Sequence, residues 1–373
     1  CLIASVESRA KYRIARLRTH EVDHWKRILR QSSIPVDLII HPETDITERI
    51  LRVINVPGLS DIFDFAEGRV KLFGTSIDAN NRLANKSIKE INSEPDLRHG
   101  LIAMIFRGQE AIIPHGNEIL LPGDQIYFMT RAEDLEDAYL FMGLRSRRSF
   151  NRVFIFGGKQ LGIELALRLE NVGVSVKLFE EDADRCELIS RILKKAIVIH
   201  GNGKDEMTLM EKNIKDVDAF LALSADDEDN IMASLLARKL GADKIVVLIN
   251  QLNYLPMVQR LGITTTVSPR LTAADLILRF TRKGRVISVT SFREQEAESI
   301  EIIAEPGSRL VGKKLKDLGL PRDCIIGAII RPGGEVIVPQ GEDHVHAGDR
   351  IIFFALERMV PKLESLFFPS SRS

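Results

Sequence analysis

The fold of this chain is decided by the stretch from Val153 to Gly162, which runs VFIFGGKQLG. An apolar run of strand length leads into a glycine turn, and the residues after the turn have the apolar spacing of a helix. This order predicts the first strand, turn and helix of a dinucleotide-binding domain. The free N–H groups and the positive dipole end of such a helix bind a pyrophosphate.

Two of the three glycines in the dinucleotide fingerprint G-x-G-x-x-G are present. Gly157 permits the tight turn at the first position, and Gly162 allows the helix to pack closely on the strand at the third. Lys159 replaces the second glycine, where the backbone approaches the pyrophosphate. Its ammonium group either binds a phosphate or obstructs the pocket. A nucleotide site and a degenerate domain kept only for assembly therefore remain alternatives.

An acidic residue, Glu180, stands at the end of the next predicted strand. A carboxylate in this place accepts hydrogen bonds from both ribose hydroxyls and repels a 2′-phosphate. The pattern favours a non-phosphorylated adenosine ligand over NADP.

The surrounding segment alternates strands and helices, which predicts right-handed βαβ crossovers and a doubly wound parallel sheet. The predicted strands are Arg152–Phe156, Ser175–Phe179, Ala196–Ile199, Ala219–Leu223 and Lys244–Ile249. The predicted helices are Leu161–Asn171, Ala183–Leu193, Asp229–Leu240 and Leu255–Leu261.

The chain also contains a tandem duplication. Gln109–Phe128 and Gly334–Phe353 align with identical residues at eight positions, among them a Gly-Asp pair at Gly123 and at Gly348. Each copy predicts a small β-rich module in which the Gly-Asp turn precedes a closing strand and a short helix. The other predicted strands are Leu101–Phe106, Glu110–Ile113, Ile325–Ile330 and Glu335–Val338, and the helices are Glu133–Leu140 and Glu357–Leu366.

The duplication predicts four segments. Residues 1–55 form the C-terminal half of a first Rossmann domain, 60–143 a first small α+β module, 150–283 a second Rossmann domain with the nucleotide site, and 287–369 a second module. Because the first segment aligns only with the back half of the second Rossmann domain, we expect the first copy to be incomplete at its N-terminal side.

Composition excludes several classes of protein. Lys plus Arg equals Asp plus Glu at 52 each, so no surplus of positive charge draws the chain to nucleic acid. No stretch approaches the roughly 18 apolar residues that a membrane helix needs. The three cysteines lie far apart and predict free thiols in a reducing compartment.

Two histidine patterns are interpreted as incidental. His20-Glu21-Val22-Asp23-His24 matches the zinc-protease motif H-E-x-x-H, but the equivalent part of the second repeat, around Gln251–Tyr254, has no histidine. The preceding Tyr12–Arg18 aligns with a strand, so the motif does not lie within one helix. His344 and His346 fall on a predicted surface turn. We predict no catalytic site and no metal site.

Two further segments, Ala222–Ala233 and Val267–Ala273, resemble signatures of the TrkA-like regulators of Trk-type potassium uptake. The order of Rossmann domain, small β module, Rossmann domain and small β module is that of this family, whose members contain two RCK units. The resemblance covers essentially the whole chain. It implies a duplicated TrkA-N domain, each copy followed by a TrkA-C module.

The family resemblance also implies a function. Its members bind NAD(H) or ATP/ADP and act on a membrane potassium-translocating subunit of the TrkH or TrkG type. For this chain it implies a homo-oligomeric, cytoplasmic regulatory subunit on the inner face of the cell membrane, with no nucleic acid partner and no enzymatic activity. The alternatives are an NAD-dependent dehydrogenase and a regulator of a potassium channel or efflux system.

The resemblance assigns the loop residues to the phosphates, Glu180 to the ribose, Gly201 and Asn202 to the adenine side, and Ser224 to the nicotinamide or phosphate end. Asn202 stands where relatives usually have Asp, and Glu181 stands where they have Arg. The complete set of cofactor-binding residues is Gly157, Gly158, Lys159, Gln160, Leu161, Gly162, Glu180, Gly201, Asn202 and Ser224. Pairing of RCK units is expected through Asp229–Leu240 and Lys244–Ile249.

Overall fold

The computed structural model describes most of the chain and divides it into two compact units. The described residues are 12–17, 36–56, 58–94, 100–108, 110–144, 151–242, 244–263, 265–281, 286–292 and 296–367. One unit, called here the Rossmann unit, comprises Cys1–Pro57 and Arg147–Thr281. The other, the module unit, comprises Gly58–Ser146 and Arg282–Ser373. Each unit therefore combines a segment from each half of the duplication.

The strands and helices of the described residues are numbered in chain order. The strands are β1 (Ile14–Arg16), β2 (Leu38–Ile40), β3 (Leu59–Phe65), β4 (Val70–Ser76), β5 (Gly100–Arg107), β6 (Glu110–Ile112), β7 (Gln125–Arg131), β8 (Arg152–Phe156), β9 (Ser175–Glu180), β10 (Ile197–His200), β11 (Ala219–Ala222), β12 (Lys244–Leu248), β13 (Thr266–Val267), β14 (Val286–Phe292), β15 (Ala297–Ile303), β16 (Cys324–Ile330), β17 (Val336–Ile337) and β18 (Arg350–Leu356). The helices are α1 (Pro42–Ile54), α2 (Ile88–Asn92), α3 (Leu135–Phe141), α4 (Gln160–Asn171), α5 (Ala183–Ile192), α6 (Glu206–Glu211), α7 (Asp227–Lys239), α8 (Leu255–Arg260), α9 (Pro269–Thr281) and α10 (Val360–Phe367).

The Rossmann unit is built on a parallel sheet of six strands in the order β10-β9-β8-β11-β12-β13. Strands β8 and β11 lie at its centre and are buried almost throughout, as expected where helices cover both faces. The strand order reverses between β8 and β11. Ligands of doubly wound sheets bind at this reversal, outside the carboxyl ends of the strands. The predicted fold class is confirmed.

The predicted elements of this sheet are confirmed with small shifts at their ends. Strand β8 and the first residue of α5 agree with the sequence analysis, whereas α7 begins two residues earlier than predicted, at Asp227. Three elements were missed, namely α6, β13 and α9. The first two contain too few residues to show a period. Helix α9 begins at Pro269, a start signal that the apolar pattern alone does not reveal.

The N-terminal segment contributes a parallel pair, β1 and β2, and the helix α1. Helix α1 has Pro42 at its first turn and places Ile46, Ile50 and Ile54 on one face, where they join the core beneath α4. The predicted strand at Tyr12–Arg18 is present as β1. The H-E-x-x-H motif lies outside the described residues.

The module unit contains two sheets of five strands with the same topology. Their orders are β3-β4-β7-β5-β6 and β14-β15-β18-β16-β17. In each copy an arginine binds the aspartate of the Gly-Asp turn, through Arg107 and Asp124 in the first and Arg331 and Asp349 in the second. The first two strands of each sheet were not predicted. The shared topology and the shared ion pair confirm that the modules are duplicates.

A buried carboxylate braces the loop between α5 and β10. Glu170, at the end of α4, is only 4% exposed and accepts hydrogen bonds from the backbone N–H groups of Lys194, Lys195 and Ala196. Burial acts to raise the pKa of Glu170, but these three donors and the nearby Lys195 ammonium outweigh it, and the pKa is lowered. The ionised form is therefore the one that stabilises the fold.

We expect Glu170→Gln to lower the free energy of unfolding of the Rossmann unit by roughly 1–3 kcal/mol at neutral pH, because an amide N–H₂ would face backbone donors. A carboxyl group with a lowered pKa stabilises the fold above its unfolded pKa and loses that contribution as the pH falls. The difference between variant and wild type should therefore shrink below about pH 4. Urea denaturation across this range measures it. The control is Glu211→Gln, at an exposed position, and an equal loss there would contradict the brace.

Candidate functional site

The glycine turn after β8 is packed too closely for side chains at three positions. Gly157 has φ +111°, and a Cβ there would lie 2.6 Å from the Ser224 nitrogen. A Cβ on Gly162 would lie 2.0 Å from the Gly157 carbonyl oxygen, and one on Gly158 would lie 2.4 Å from Cδ1 of Ile189. The two fingerprint glycines are therefore required by packing, as the sequence analysis argued. Gly158, which is not part of the fingerprint, is also in close contact with a neighbouring element, because it packs against Ile189 of α5.

Lys159, which replaces the middle glycine of the fingerprint, stands at the N-cap of α4 with φ −80° and an extended ψ. This backbone conformation is open to any residue, so lysine causes no strain here. Its side chain is exposed, Gln160 is half-buried, and Leu161 is buried in the core beneath the sheet. The first N–H groups of a helix have no partners within it, and here they follow directly on the glycine turn.

Glu180 binds the glycine turn itself. Its Oε2 accepts a hydrogen bond from the Gly158 nitrogen at 2.9 Å, and its Oε1 accepts from the nitrogens of Glu181 and Asp182 at 3.0 and 3.2 Å. The carboxylate is thus fixed at the carboxyl end of β9, next to the turn after β8. A carboxylate has about four acceptor sites, so three donors leave room for a ribose hydroxyl.

The sequence analysis missed one charged residue next to Glu180 and Gly158, which is Arg185. Arg185, in the first turns of α5, donates from Nη2 to the Gly158 carbonyl oxygen at 2.7 Å, and its Nε lies 3.8 Å from Glu180 Oε2. That Nε is buried and has no hydrogen-bond partner among the described residues. The only feature of the sequence that pointed to Arg185 is its position, five residues after the predicted ribose-binding Glu180. Glu180 and Arg185 together hold both backbone groups of Gly158.

Cys186 lies beside the same carboxylate and donates from Sγ to the Glu180 carbonyl oxygen at 3.4 Å. Burial, with the charges of Glu180 and Asp182, raises the pKa of this thiol. It stays protonated at neutral pH and is a poor nucleophile, because reactivity needs the thiolate.

Ser224 stands on the other side of the glycine turn, after β11. Its backbone is clamped by the fully buried Asn230, which accepts from the Ser224 nitrogen at 2.8 Å and donates to the carbonyl oxygens of Ser224 and Leu248 at 3.0 Å. The Ser224 hydroxyl donates to the Asp226 carbonyl oxygen. Asn230 thus links the backbone of Ser224, on which Gly157 packs, to Leu248 of β12. The sequence feature that could have identified Asn230 is its polar side chain among the apolar residues of the buried face of α7.

The predicted adenine-side residues follow β10. The Gly201 nitrogen donates to the Glu180 carbonyl oxygen at 3.0 Å, which places Gly201 beside the ribose acid. Asn202 uses its side chain locally, because its Oδ1 accepts from the Lys204 nitrogen at 2.8 Å. This hydrogen bond closes a turn and leaves the two N–H donors of the Asn202 amide for the adenine side to which the resemblance assigns it.

The structure brings the predicted residues together at the carboxyl edge of the sheet. Glu180 contacts Gly158, and Ser224 contacts Gly157. Leu161 is the exception, since its side chain lies in the core. Their role in binding a cofactor stays a prediction.

Two kinds of site are absent from the described residues. No three His, Cys, Asp or Glu side chains in this part of the chain are grouped to hold a metal ion. Nor is any helix within the described ranges both long enough and apolar enough to span a bilayer.

The fold and the glycine turn place this chain in the class of Rossmann-type domains with a nucleotide-binding turn. Comparison with known sequences defines it further. The TrkA-N domain family matches residues 153–269, and the TrkA-C domain family matches residues 74–143 and 300–367. The Trk system potassium uptake protein TrkA of Halomonas elongata is 33% identical over 371 residues, which cover 98% of this chain and 80% of that protein. The TrkA of Haemophilus influenzae is 35% identical over 364 residues, covering 96% and 79%. The chain belongs to the TrkA family of potassium uptake proteins.

Solved structures share the fold. The RCK domain of GsuK aligns with a TM-score of 0.56 and 18% identity, covering 98% of this chain and 77% of that one. The GsuK channel bound to NAD aligns with a TM-score of 0.54 and 17% identity, covering 98% of this chain and 64% of that one. At this level of identity the likeness supports the architecture.

We expect Gly162→Ala to destabilise the Rossmann unit by several kcal/mol, on the order of 3, because the new methyl group would overlap the Gly157 carbonyl oxygen and displace α4. Thermal unfolding of the purified protein measures the effect. Gly201→Ala is the matched control, since its Cβ would meet nothing nearer than Thr208 Cγ2 at 3.6 Å. Equal stability of the two variants would show that the turn is looser than the structure indicates.

Proposed function

We propose that this chain is a non-enzymatic regulatory subunit that binds a nucleotide and controls a membrane potassium transporter. The observation that carries the proposal is the Glu180–Gly158 hydrogen bond at the switch point of a TrkA-N sheet. Glu180, the proposed ribose-binding residue, is hydrogen-bonded to the glycine turn, the proposed phosphate-binding segment. A ligand bound at either group would therefore affect the other. The names of the relatives support potassium uptake as the process that is controlled.

The proposed ligand is NAD(H) or ATP/ADP. The turn offers what a pyrophosphate requires, which is close backbone approach at Gly157 and Gly158 followed by the free N–H groups of α4. Glu180 would bind the ribose hydroxyls and would repel a 2′-phosphate. Gly201 would border the adenine, Ser224 the nicotinamide or phosphate end, and the exposed Lys159 would add a positive charge beside the phosphates.

The mechanism follows from the partners that these groups already have. Glu180 and Arg185 hold the two backbone groups of Gly158, so a ribose that engages Glu180 changes the forces on the phosphate turn. Gly157 rests on the backbone of Ser224, which Asn230 ties to β12. A nucleotide shifts the protein only by the difference in its affinity for the two states, and about 1–3 kcal/mol is enough to bias a gate.

The assembly that would receive this signal is a homo-oligomer on the cytoplasmic side of the cell membrane, bound to a TrkH- or TrkG-like subunit. Pairing of Rossmann units is proposed through α7 and β12. The small residues Ala233 and Ala237 of α7 are buried against the sheet and therefore pack within the unit. Met232 on the same helix is 60% exposed and offers an apolar contact. The alternative function is control of a potassium channel or efflux system, which would use the same nucleotide site.

We predict that the protein binds NADH, NAD or ATP and that Glu180→Ala weakens binding at least several-fold, about what the loss of one charge-assisted hydrogen bond costs. Isothermal calorimetry with each nucleotide measures it, and potassium flux through the reconstituted membrane subunit should lose its response to the nucleotide. Glu187→Ala, on the exposed face of α5, is the control. Identical nucleotide affinities for the wild type and Glu180→Ala would show that Glu180 is not part of the nucleotide site.

The enzyme alternative, an NAD-dependent dehydrogenase, requires an acid–base residue at the nicotinamide end. The hydrogen-bond partners of Ser224 among the described residues are Asn230 and Asp226, and Cys186 is a protonated thiol. We expect no change in NADH absorbance when the protein is incubated with NAD and common 2-hydroxy acids. Measurable turnover, absent in a Glu180→Ala control, would overturn the regulatory proposal.

A further inference from the structure

An ion pair joins the loop after β10 to the first turn of α7. Lys204, in the loop after β10, donates from Nζ to Oδ1 of Asp229 in the first turn of α7 at 2.6 Å. Neither partner is deeply buried, with side-chain exposures of 27% and 38%. In the sheet order the strands β9 and β8 lie between the two strands that these loops follow. The pair therefore links the predicted adenine side of the site to the side of Ser224.

The lysine end of this pair is held beside the base of the glycine turn. The Lys204 nitrogen donates to Asn202 Oδ1, which closes a tight turn. Gly203 is buried against the ring of Phe156, where a Cβ would lie 2.4 Å from Cδ2. Phe156 is the last residue of β8 and directly precedes Gly157. Displacing the loop would expose that ring, so the backbone of Gly203, next to Lys204, packs on the residue that precedes the glycine turn.

The aspartate end is held beside Ser224. The Asp229 nitrogen donates to the capping side chain of Asp226 at 2.9 Å, and the Asp226 carbonyl oxygen accepts from the Ser224 hydroxyl. Asn230, the next residue of α7, clamps the Ser224 backbone. Asp229 is thus fixed on the far side of the turn from Glu180.

The charges at this place favour exchange of the lysine. Other carboxylates at the start of α7 have partners elsewhere, since Asp227 accepts from Asn250 and Gln251, and Glu228 accepts from the Tyr254 hydroxyl. Asp229 has Lys204. A terminal phosphate carries about −1.5 to −2 charges at neutral pH, more than one carboxylate does. A phosphate placed at the N-terminus of α4 would compete with Asp229 for the ammonium group.

We propose that Lys204 is the residue that selects nucleotides with a terminal phosphate, and that Asp229 restrains it in the free protein. This inference rests on the proposed nucleotide site. When ADP or ATP binds, Lys204 leaves Asp229 and pairs with the terminal phosphate, which releases α7 from the loop after β10. NAD has no terminal phosphate, and each of its two phosphates carries a single charge, so it leaves the Lys204–Asp229 pair closed. The site thereby distinguishes the two ligand classes by the state of one ion pair.

The test uses the full chain and two substitutions whose effects have opposite signs. Lys204→Gln should weaken binding of ADP and ATP roughly tenfold, the loss expected for one charge-assisted contact. Asp229→Asn should strengthen it roughly threefold, because the partner that competes for the lysine loses its negative charge. Affinity for NAD should change less than twofold in both, about the scatter between independent titrations. Calorimetry with ADP, ATP and NAD at fixed salt gives all of these values.

Glu206→Gln is the matched control, because Glu206, the first residue of α6, also forms an ion pair with α7, through Lys239, in an exposed position. Its affinities should equal those of wild type. If Lys204→Gln and Asp229→Asn both weaken all three nucleotides and lower the melting temperature alike, the pair is only a brace and the inference is wrong. Unchanged affinities in both variants also overturn it. A wild-type protein that binds no nucleotide refutes the proposed function itself, and the inference with it.

Discussion

The contact between Gly157 and the backbone of Ser224 is the constraint on which the Rossmann unit depends. It brings the ends of β8 and β11 together where the strand order reverses, and it leaves no space for a Cβ at 2.6 Å from a backbone nitrogen. Gly162 repeats the constraint one turn later, against the Gly157 carbonyl oxygen. The position of α4, and so the direction of its N–H groups, follows from these two approaches.

Around this contact most polar groups have partners within the protein, although the buried Arg185 Nε has none among the described residues. Glu180 accepts from three backbone nitrogens, Arg185 holds the Gly158 carbonyl oxygen, and Asn230 uses both ends of its amide. A ribose hydroxyl that uses the remaining acceptor site of Glu180 would bind a carboxylate that already holds the glycine turn. Binding then changes the protein only through a difference in affinity between two states, which is what a regulator requires.

The duplication shows which features the small modules need. Both copies retain a five-stranded sheet of the same order and an arginine bound to the aspartate of a Gly-Asp turn. In the Rossmann unit the N-terminal segment keeps the apolar face of α1, which packs into the core of the other copy through Ile46, Ile50 and Ile54. The features that the two copies of the module share are therefore a sheet order and an ion pair at the turn.

The sequence by itself determined the class of fold and the main strands and helices, since long apolar runs, glycine turns and a duplicated pattern are local properties of the chain. It located the glycine turn and Glu180 for the same reason. It did not determine that Gly158 is a close-contact glycine, that Asn202 closes a turn, that Arg185 and Asn230 hold the backbone of Gly158 and Ser224, or that Lys204 pairs with Asp229. Those facts depend on which strand ends are neighbours, and only the tertiary structure brings such distant residues within hydrogen-bonding distance.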